Sequence, residues 1–211
     1  MNKGKSYKVG VTGGIGAGKT TVSKVFRVLG IPLYNADDRA KWLMAKDEAL
    51  KQAICAEFGA EAYHQNGSLN RGFLASKVFS DPVQTDKINA IVHPRVGADF
   101  REWFQQQTTP YVLKEAALLF ESGSYKELDK TILVTAPLFI RVQRVLKRDP
   151  HRTEQQVMDI VEKQWDEGRK KELADYILDN SGESLLLPQI LTVHQQLLAD
   201  SKEGNLRNLP N

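Results

Sequence analysis

The stretch Val11-Thr12-Gly13-Gly14-Ile15-Gly16-Ala17-Gly18-Lys19-Thr20-Thr21-Val22 decides the fold. Gly13 to Thr20 fits the pattern G-x-x-x-x-G-K-[ST], and each position has a chemical reason. Backbone N–H groups must converge on phosphate oxygens, and glycine lets the chain turn that tightly with no side chain in the way. The helix that follows adds the exposed N–H groups and the dipole of its first turn, which favour an anion. Lys19 brings a point charge to the β and γ phosphates, and the Thr20 hydroxyl is suited to ligate Mg²⁺. Gly13, Gly14, Gly16, Ala17, Gly18, Lys19, Thr20 and Thr21 are therefore the candidate nucleotide-binding residues. A chance glycine-rich turn would lack the flanks found here. Tyr7 to Thr12 reads as a buried strand, and Thr20 to Leu29 carries Val22, Val25, Phe26 and Leu29 at helical spacing.

Working outward, Gly30 is a natural cap for that helix, and Ile31-Pro32-Leu33-Tyr34 is a second strand ending at Asn35-Ala36-Asp37-Asp38. Residues from about 36 to 107 read as mostly helical. A helix over Asp47 to Phe58 stops at Gly59, Asn66-Gly67 marks a turn, and Asn70 begins a helix carrying Phe73, Leu74, Val78 and Phe79. Asp81-Pro82 opens another, which His93-Pro94 interrupts; a further helix runs from Arg95 to about Gln107. Strands resume at Tyr111 to Lys114 and Thr131 to Thr135. Pro137 then opens a helix to about Arg148, and Thr153 caps the next. Tyr176 to Asp179 is the last strand, Glu183 to Ala199 the closing helix, and the polar tail from Asp200 is expected to fray. Five strands with intervening helices imply a three-layer α/β fold on a five-stranded parallel sheet.

Composition sets the outer limits. The chain has 211 residues, 41% apolar and 26% charged, with a formal charge of +3, an ordinary balance for a globular domain. That small charge does not predict nucleic-acid binding. The single cysteine, Cys55, excludes an intrachain disulfide and reads as a small core residue. The start, Met1 to Ser6, is polar, and nothing approaches the 18 apolar residues of a membrane span, so a cytoplasmic location is expected.

Three features separate kinases from other users of this loop. Asp37 follows the second strand, where a carboxylate can orient an acceptor hydroxyl and take its proton; the alternative role for Asp37 or Asp38 is helix capping. Arg141, Arg144 and Arg148 share one helix face, as in an arginine-bearing lid, although Arg141 also reads as part of a solvated basic face. The break at Asp149-Pro150-His151 favours a mobile lid. No Asn-Lys-x-Asp run that would read guanine is present.

With these residues in place the sequence resembles the dephospho-coenzyme A kinase family over nearly its whole length. The loop with its flanks, Leu29 to Pro32 followed by Ala36-Asp37, and Gly67 to Arg71 carry the resemblance. So do Val78 to Pro82, Ile88 to Pro94, Leu118 to Gly123, Arg144 to Asp149, and Ala174 to Gly182. Asn35 stands where the family commonly has aspartate, and Ala117 where it usually has proline. The resemblance implies a P-loop NTPase fold in one domain, 1–211. Its core would be about 6–35, 108–140 and 173–200, its helical acceptor-binding insertion about 36–107, and its helical lid about 141–172. It implies transfer of the ATP γ-phosphate, with Mg²⁺, to the ribose 3′-hydroxyl of dephospho-coenzyme A. Asp37 would be the base, and Lys19, Arg144 and Arg148 would stabilise the transferred group. Asn180 would lie near the adenine, while Arg71, His93 and Glu121 would line the acceptor side. His93 has a second reading as a cap before Pro94, and Glu121 as a structural hydrogen-bonding partner. The expected partner is this small molecule, with no nucleic acid or membrane, and a monomer or weak homo-oligomer. The alternatives are a kinase of a nucleoside monophosphate or shikimate, drawing on Arg39, Arg71, Arg95 and Arg101 as an anion clamp, and a nucleotide-dependent switch without acceptor chemistry.

Overall fold

The computed structural model describes residues 6–78 and 81–207; the expectations at Phe79, Ser80 and Met1 to Lys5 lie outside the described residues. The strands are β1 (Tyr7–Gly13), β2 (Leu33–Asn35), β3 (Tyr111–Glu115), β4 (Lys130–Thr135) and β5 (Tyr176–Asp179). The helices are α1 (Lys19–Val28), α2 (Ala36–Lys46), α3 (Glu48–Phe58), α4 (Arg71–Val78), α5 (Pro82–Gln105), α6 (Leu138–Arg148), α7 (Glu154–Glu162), α8 (Glu167–Leu173) and α9 (Leu186–Arg207). The chain divides into two compact units, Met1–Asn35 with Gln107–Asn211, and Ala36–Gln106.

In the first unit the sheet runs β2-β3-β1-β4-β5, and every neighbouring pair is parallel. β1 lies at the centre, where successive crossovers diverge, so the loop after it opens at the carboxyl edge of the sheet at its switch point. The two-residue period of the strands builds two faces. Val9, Val11, Tyr111, Leu113, Ile132, Val134 and Leu178 share one core with Val22 and Phe26 of α1 and Ile190, Val193 and Leu197 of α9. Gly10 points the other way: a Cβ there would meet Leu119 Cδ2 at 2.5 Å and Leu128 Cδ1 at 2.6 Å, so its glycine lets that segment cover the opposite face. α8 packs beside β4. Three layers result.

Several element ends shift by one to three residues, α9 starting at Leu186 and not Glu183, and two of the boundaries have a clear physical cause. β2 starts at Leu33 because Pro32 has no N–H to give, and only its carbonyl joins the ladder, accepting from Leu113 N at 2.9 Å. α9 continues beyond Asp200 because that turn is anchored. Tyr176 Oη donates to Asp200 Oδ2 at 2.6 Å, and Ser201 is buried.

The seam of α1, β3 and α9 carries a polar contact within an aromatic cluster. Phe26, Tyr111 and His194 meet with ring centroids 5.8–6.4 Å apart, and Tyr111 Oη lies 2.6 Å from His194 Nδ1. Burial holds the His194 pKa below its ordinary value. The unfolded chain therefore takes up a proton first as pH falls, and stability drops from about pH 6.5 downward. Between pH 7.5 and pH 5 the wild-type Tm should fall by several degrees more than that of His194→Gln, which keeps a hydrogen-bonding group but does not titrate. Parallel curves in a thermal-melt series would refute this.

The second unit is helical. Asp47 caps α3 by accepting from Leu50 N at 2.8 Å and also holds Arg95 of α5 at 2.6 Å. The Leu50 N–H and the guanidinium together keep its carboxyl below the usual range. Asp99 of α5 receives both Nε and Nη2 of Arg39 from α2. These ties, with buried Val92, Val96 and Phe100, explain a correction: α5 runs unbroken from Pro82 to Gln105, through Pro94. An interior proline costs about 3 kcal/mol, and the buried side chains before and after Pro94, with the two ion pairs just after it, offset that cost. Cys55 is half-buried rather than in the core.

Candidate active site

The loop leaves β1 at Gly13, where a Cβ would collide with the carbonyl oxygen of Val134 in β4. Gly16 and Gly18 have φ of 78° and 103°, the left-handed region that glycine alone enters without strain. Ala17 N–H donates to Gly14 O at 3.1 Å, closing the turn. α1 then starts without a side-chain cap and without an acidic residue in its first turn, so its positive end is not compensated by the chain itself. The ammonium of Lys19 folds back over the loop, donating to Gly13 O at 2.9 Å and Gly14 O at 3.3 Å. The Thr21 side chain is exposed, and its N–H bonds Gly18 O.

Two side chains from other strands fix this loop. Asn180, just past β5, donates from Nδ2 to Ala17 O at 2.8 Å. Glu115, the last residue of β3, accepts from Thr20 Oγ1 at 3.0 Å. Glu115 is buried, and its Oε2 has no hydrogen-bond partner among the described residues. Sequence reading passed over Glu115. The available signal was a carboxylate ending a wholly buried strand beside the loop-bearing one.

The segment after β4 is bound to the loop as well. Val142, Val145 and Val157 form a small core against which Ile15 packs. Gln164 Oε1 accepts from Ile15 N at 2.9 Å, and its Nε2 donates to Ala117 O at 3.4 Å. Glu121 is engaged nearby: its Oε1 accepts from Trp165 N at 2.9 Å and pairs with Lys170 Nζ at 2.7 Å, with Lys170 only 2% exposed. Of the two roles read for Glu121, the geometry supplies the structural one. Thr153 and Gln156 form a reciprocal capping box on α7, and Asp166 caps α8, a helix not anticipated from sequence.

The three arginines of α6 differ sharply. Arg141 is buried, not on a solvated face: its guanidinium covers Gly14 and its backbone covers Gly16, so a Cβ at either glycine would strike it. Arg144 is half-buried, with Nη1 lacking a hydrogen-bond partner among the described residues. Arg148 is largely exposed and holds Asp149 at 2.8 Å.

Asp37, Arg71 and His93 belong to the second unit. Asp37 is exposed in the first turn of α2, directly after β2, and its neighbour Asp38 pairs with Lys41 at 2.9 Å. Arg71 is the exposed first residue of α4. His93 is exposed within α5; because that helix continues, there is no helix end for it to cap.

The dephospho-CoA kinase family model matches residues 7–185. This chain belongs to the dephospho-CoA kinase family. A dephospho-CoA kinase of Bacteroides fragilis is 37% identical over 187 residues, covering 88% of this chain and 90% of its own. One of Legionella pneumophila is 36% identical over 197 residues, covering 93% and 98%. A solved Thermus thermophilus structure superposes with a TM-score of 0.77 at 33% identity, covering 92% of this chain and 97% of that one. Dephospho-CoA kinase from Campylobacter jejuni, at 22% identity and a TM-score of 0.66, shares the fold. A kinase of this family uses ATP as phosphoryl donor, which agrees with the loop. No helix among the described residues is long and apolar enough to cross a membrane.

Proposed function

We propose that this kinase transfers the γ-phosphate of ATP to the ribose 3′-hydroxyl of dephospho-coenzyme A. The observation that carries the donor half is the loop from Gly13 to Thr20 at the carboxyl end of β1, clipped by Asn180 and Glu115. The family match supports the acceptor. The hydroxyl oxygen bonds to the γ-phosphorus as the bond to the bridging oxygen of ADP breaks. Asp37 accepts the proton. Lys19 exchanges its loop carbonyls for β and γ phosphate oxygens, and Arg144 and Arg148 offset the spread charge. Asn180 lies at the adenine side. Arg71, His93 and Glu121 serve the acceptor. Two of the four arginines open to a nucleoside monophosphate or shikimate clamp, Arg39 and Arg95, are taken by Asp99 and Asp47, which disfavours those acceptors.

The residues present fit Mg²⁺. Thr20 offers a hard oxygen, and Glu115, bonded to it, a buried carboxylate whose other oxygen has no partner among the described residues. Bound there, the ion would neutralise charge on the nucleotide phosphates. Glu115→Gln keeps an acceptor for Thr20 but loses the charge. The Mg²⁺ concentration for half-maximal activity should rise by about 10- to 100-fold, with Tm nearly unchanged. An unaltered Mg²⁺ titration would assign Glu115 to loop packing alone. The reading also carries a cytoplasmic location, small-molecule partners only, and a monomer or weak homo-oligomer.

The test is a purified-protein assay with ATP, Mg²⁺ and a panel of acceptors. Coenzyme A should form from dephospho-coenzyme A. Phosphorylation of shikimate or a nucleoside monophosphate instead, or hydrolysis with no phosphorylated product, would overturn the proposal.

A further inference from the structure

Arg141 stands out because it is a buried charge without a counter-charge among the described residues. The residue is 9% exposed. Among the described residues its Nε has no hydrogen-bond partner and no carboxylate pairs with the guanidinium. Carboxylates of the same unit bond other groups: Glu121 holds Lys170 and Trp165, Asp149 holds Arg148 and Arg152, and Glu115 accepts from Thr20. A cation taken out of water without a partner is costly, so its retention calls for an anion that is not part of the chain.

Its position says which anion. Nη1 lies against Gly14, and the backbone of Arg141 lies against Gly16. Gly16 is thus required by the packing of α6 as well as by the turn, and Gly14 leaves the space that the guanidinium fills. The first turn of α6 is a wall of the phosphate-binding loop. The helix is held there by Ile15, which packs on Val142 and Val145, and by the Gln164 bond to Ile15 N. A planar guanidinium presenting fixed N–H groups suits phosphate oxygens better than an ammonium would.

We propose that Arg141 is a further donor-binding residue, whose buried guanidinium contacts the phosphate chain of the nucleotide beside the loop. It is distinct from Arg144 and Arg148, the arginines assigned to the transferred group. This inference rests on the reading of the loop as the donor site.

The test uses the full-length protein and Arg141→Met, which keeps an apolar stem and removes the charge. ATP and ADP affinities are measured by calorimetry, and Tm is measured with and without nucleotide. Affinity for ATP should fall by about 10- to 100-fold. The nucleotide-induced rise in Tm should shrink accordingly, while the nucleotide-free Tm stays level or rises, because an unpaired buried charge has gone. A residue that only packs would show the reverse: a lower nucleotide-free Tm with wild-type affinity. That result overturns the inference. Arg141→Lys, which keeps a charge, should lie between wild type and Arg141→Met in affinity. If Arg141→Met does not fold, wild-type affinity in Arg141→Lys overturns the inference, and a loss of several-fold or more supports it. Wild-type protein run against the acceptor panel separates the two readings. Coenzyme A formation with unchanged affinity in Arg141→Met removes only the role of Arg141. Failure of the wild type to bind ATP removes the donor site itself.

Discussion

Asp37→Asn lowers kcat by roughly 10²- to 10⁴-fold, the usual worth of a positioned general base, and leaves ATP affinity within about twofold of wild type. The substitution is nearly isosteric and keeps a hydrogen-bonding group in the first turn of α2, so the fold should hold. What it removes is the group that can take the proton of the acceptor hydroxyl. Asp38→Asn is the matched control. Asp38 is committed to Lys41 on the exposed side of the same turn, and a surface pair of this kind contributes only a few tenths of a kcal/mol. Steady-state kinetics with dephospho-coenzyme A, alongside calorimetry with ATP, reads both effects. Equal turnover in wild type and Asp37→Asn would return Asp37 to helix capping.

Lys19→Ala should damage both binding and turnover. The ammonium is the one side-chain charge that the loop pattern itself places at the β and γ phosphates. Removing a preorganised donor to developing charge costs roughly 10²- to 10³-fold in kcat. ATP affinity should fall by about tenfold or more, because the same group serves the ground state. The nucleotide-free fold loses the tether from Lys19 Nζ to Gly13 O and Gly14 O, of the order of 1 kcal/mol. A variant that melts normally and binds ATP as wild type would show that the positive end of α1 alone holds the phosphates. The contrast between the variants is the informative part. One should lose kcat at constant ATP affinity, and the other should lose both.

The sequence by itself determined the loop, the parallel sheet and most helix ends, because those depend on short-range chemistry. Glycine at positions of positive φ, caps such as Asp47, Asp81 and Thr153, and apolar runs of strand length act within a few residues and are visible there. It also carried the family, through ordered motifs that together cover nearly the whole chain. Tertiary structure decided what depends on partners far along the chain. Pro94 reads as a break, yet α5 continues because Asp47 and Arg39 hold the turn just after it, at Arg95 and Asp99, from 48 and 60 residues away. Asp200 reads as a frayed tail, yet Tyr176 holds it in α9. Glu115 reads as one more strand residue until β3 lies beside β1 and brings it to Thr20. Arg141, Arg144 and Arg148 share one face in the sequence. Only the packing of α6 on Gly14 and Gly16 sends the first against the phosphate loop and leaves the last in water. Burial and pairing are properties of neighbours in space, and spacing along a chain does not contain them.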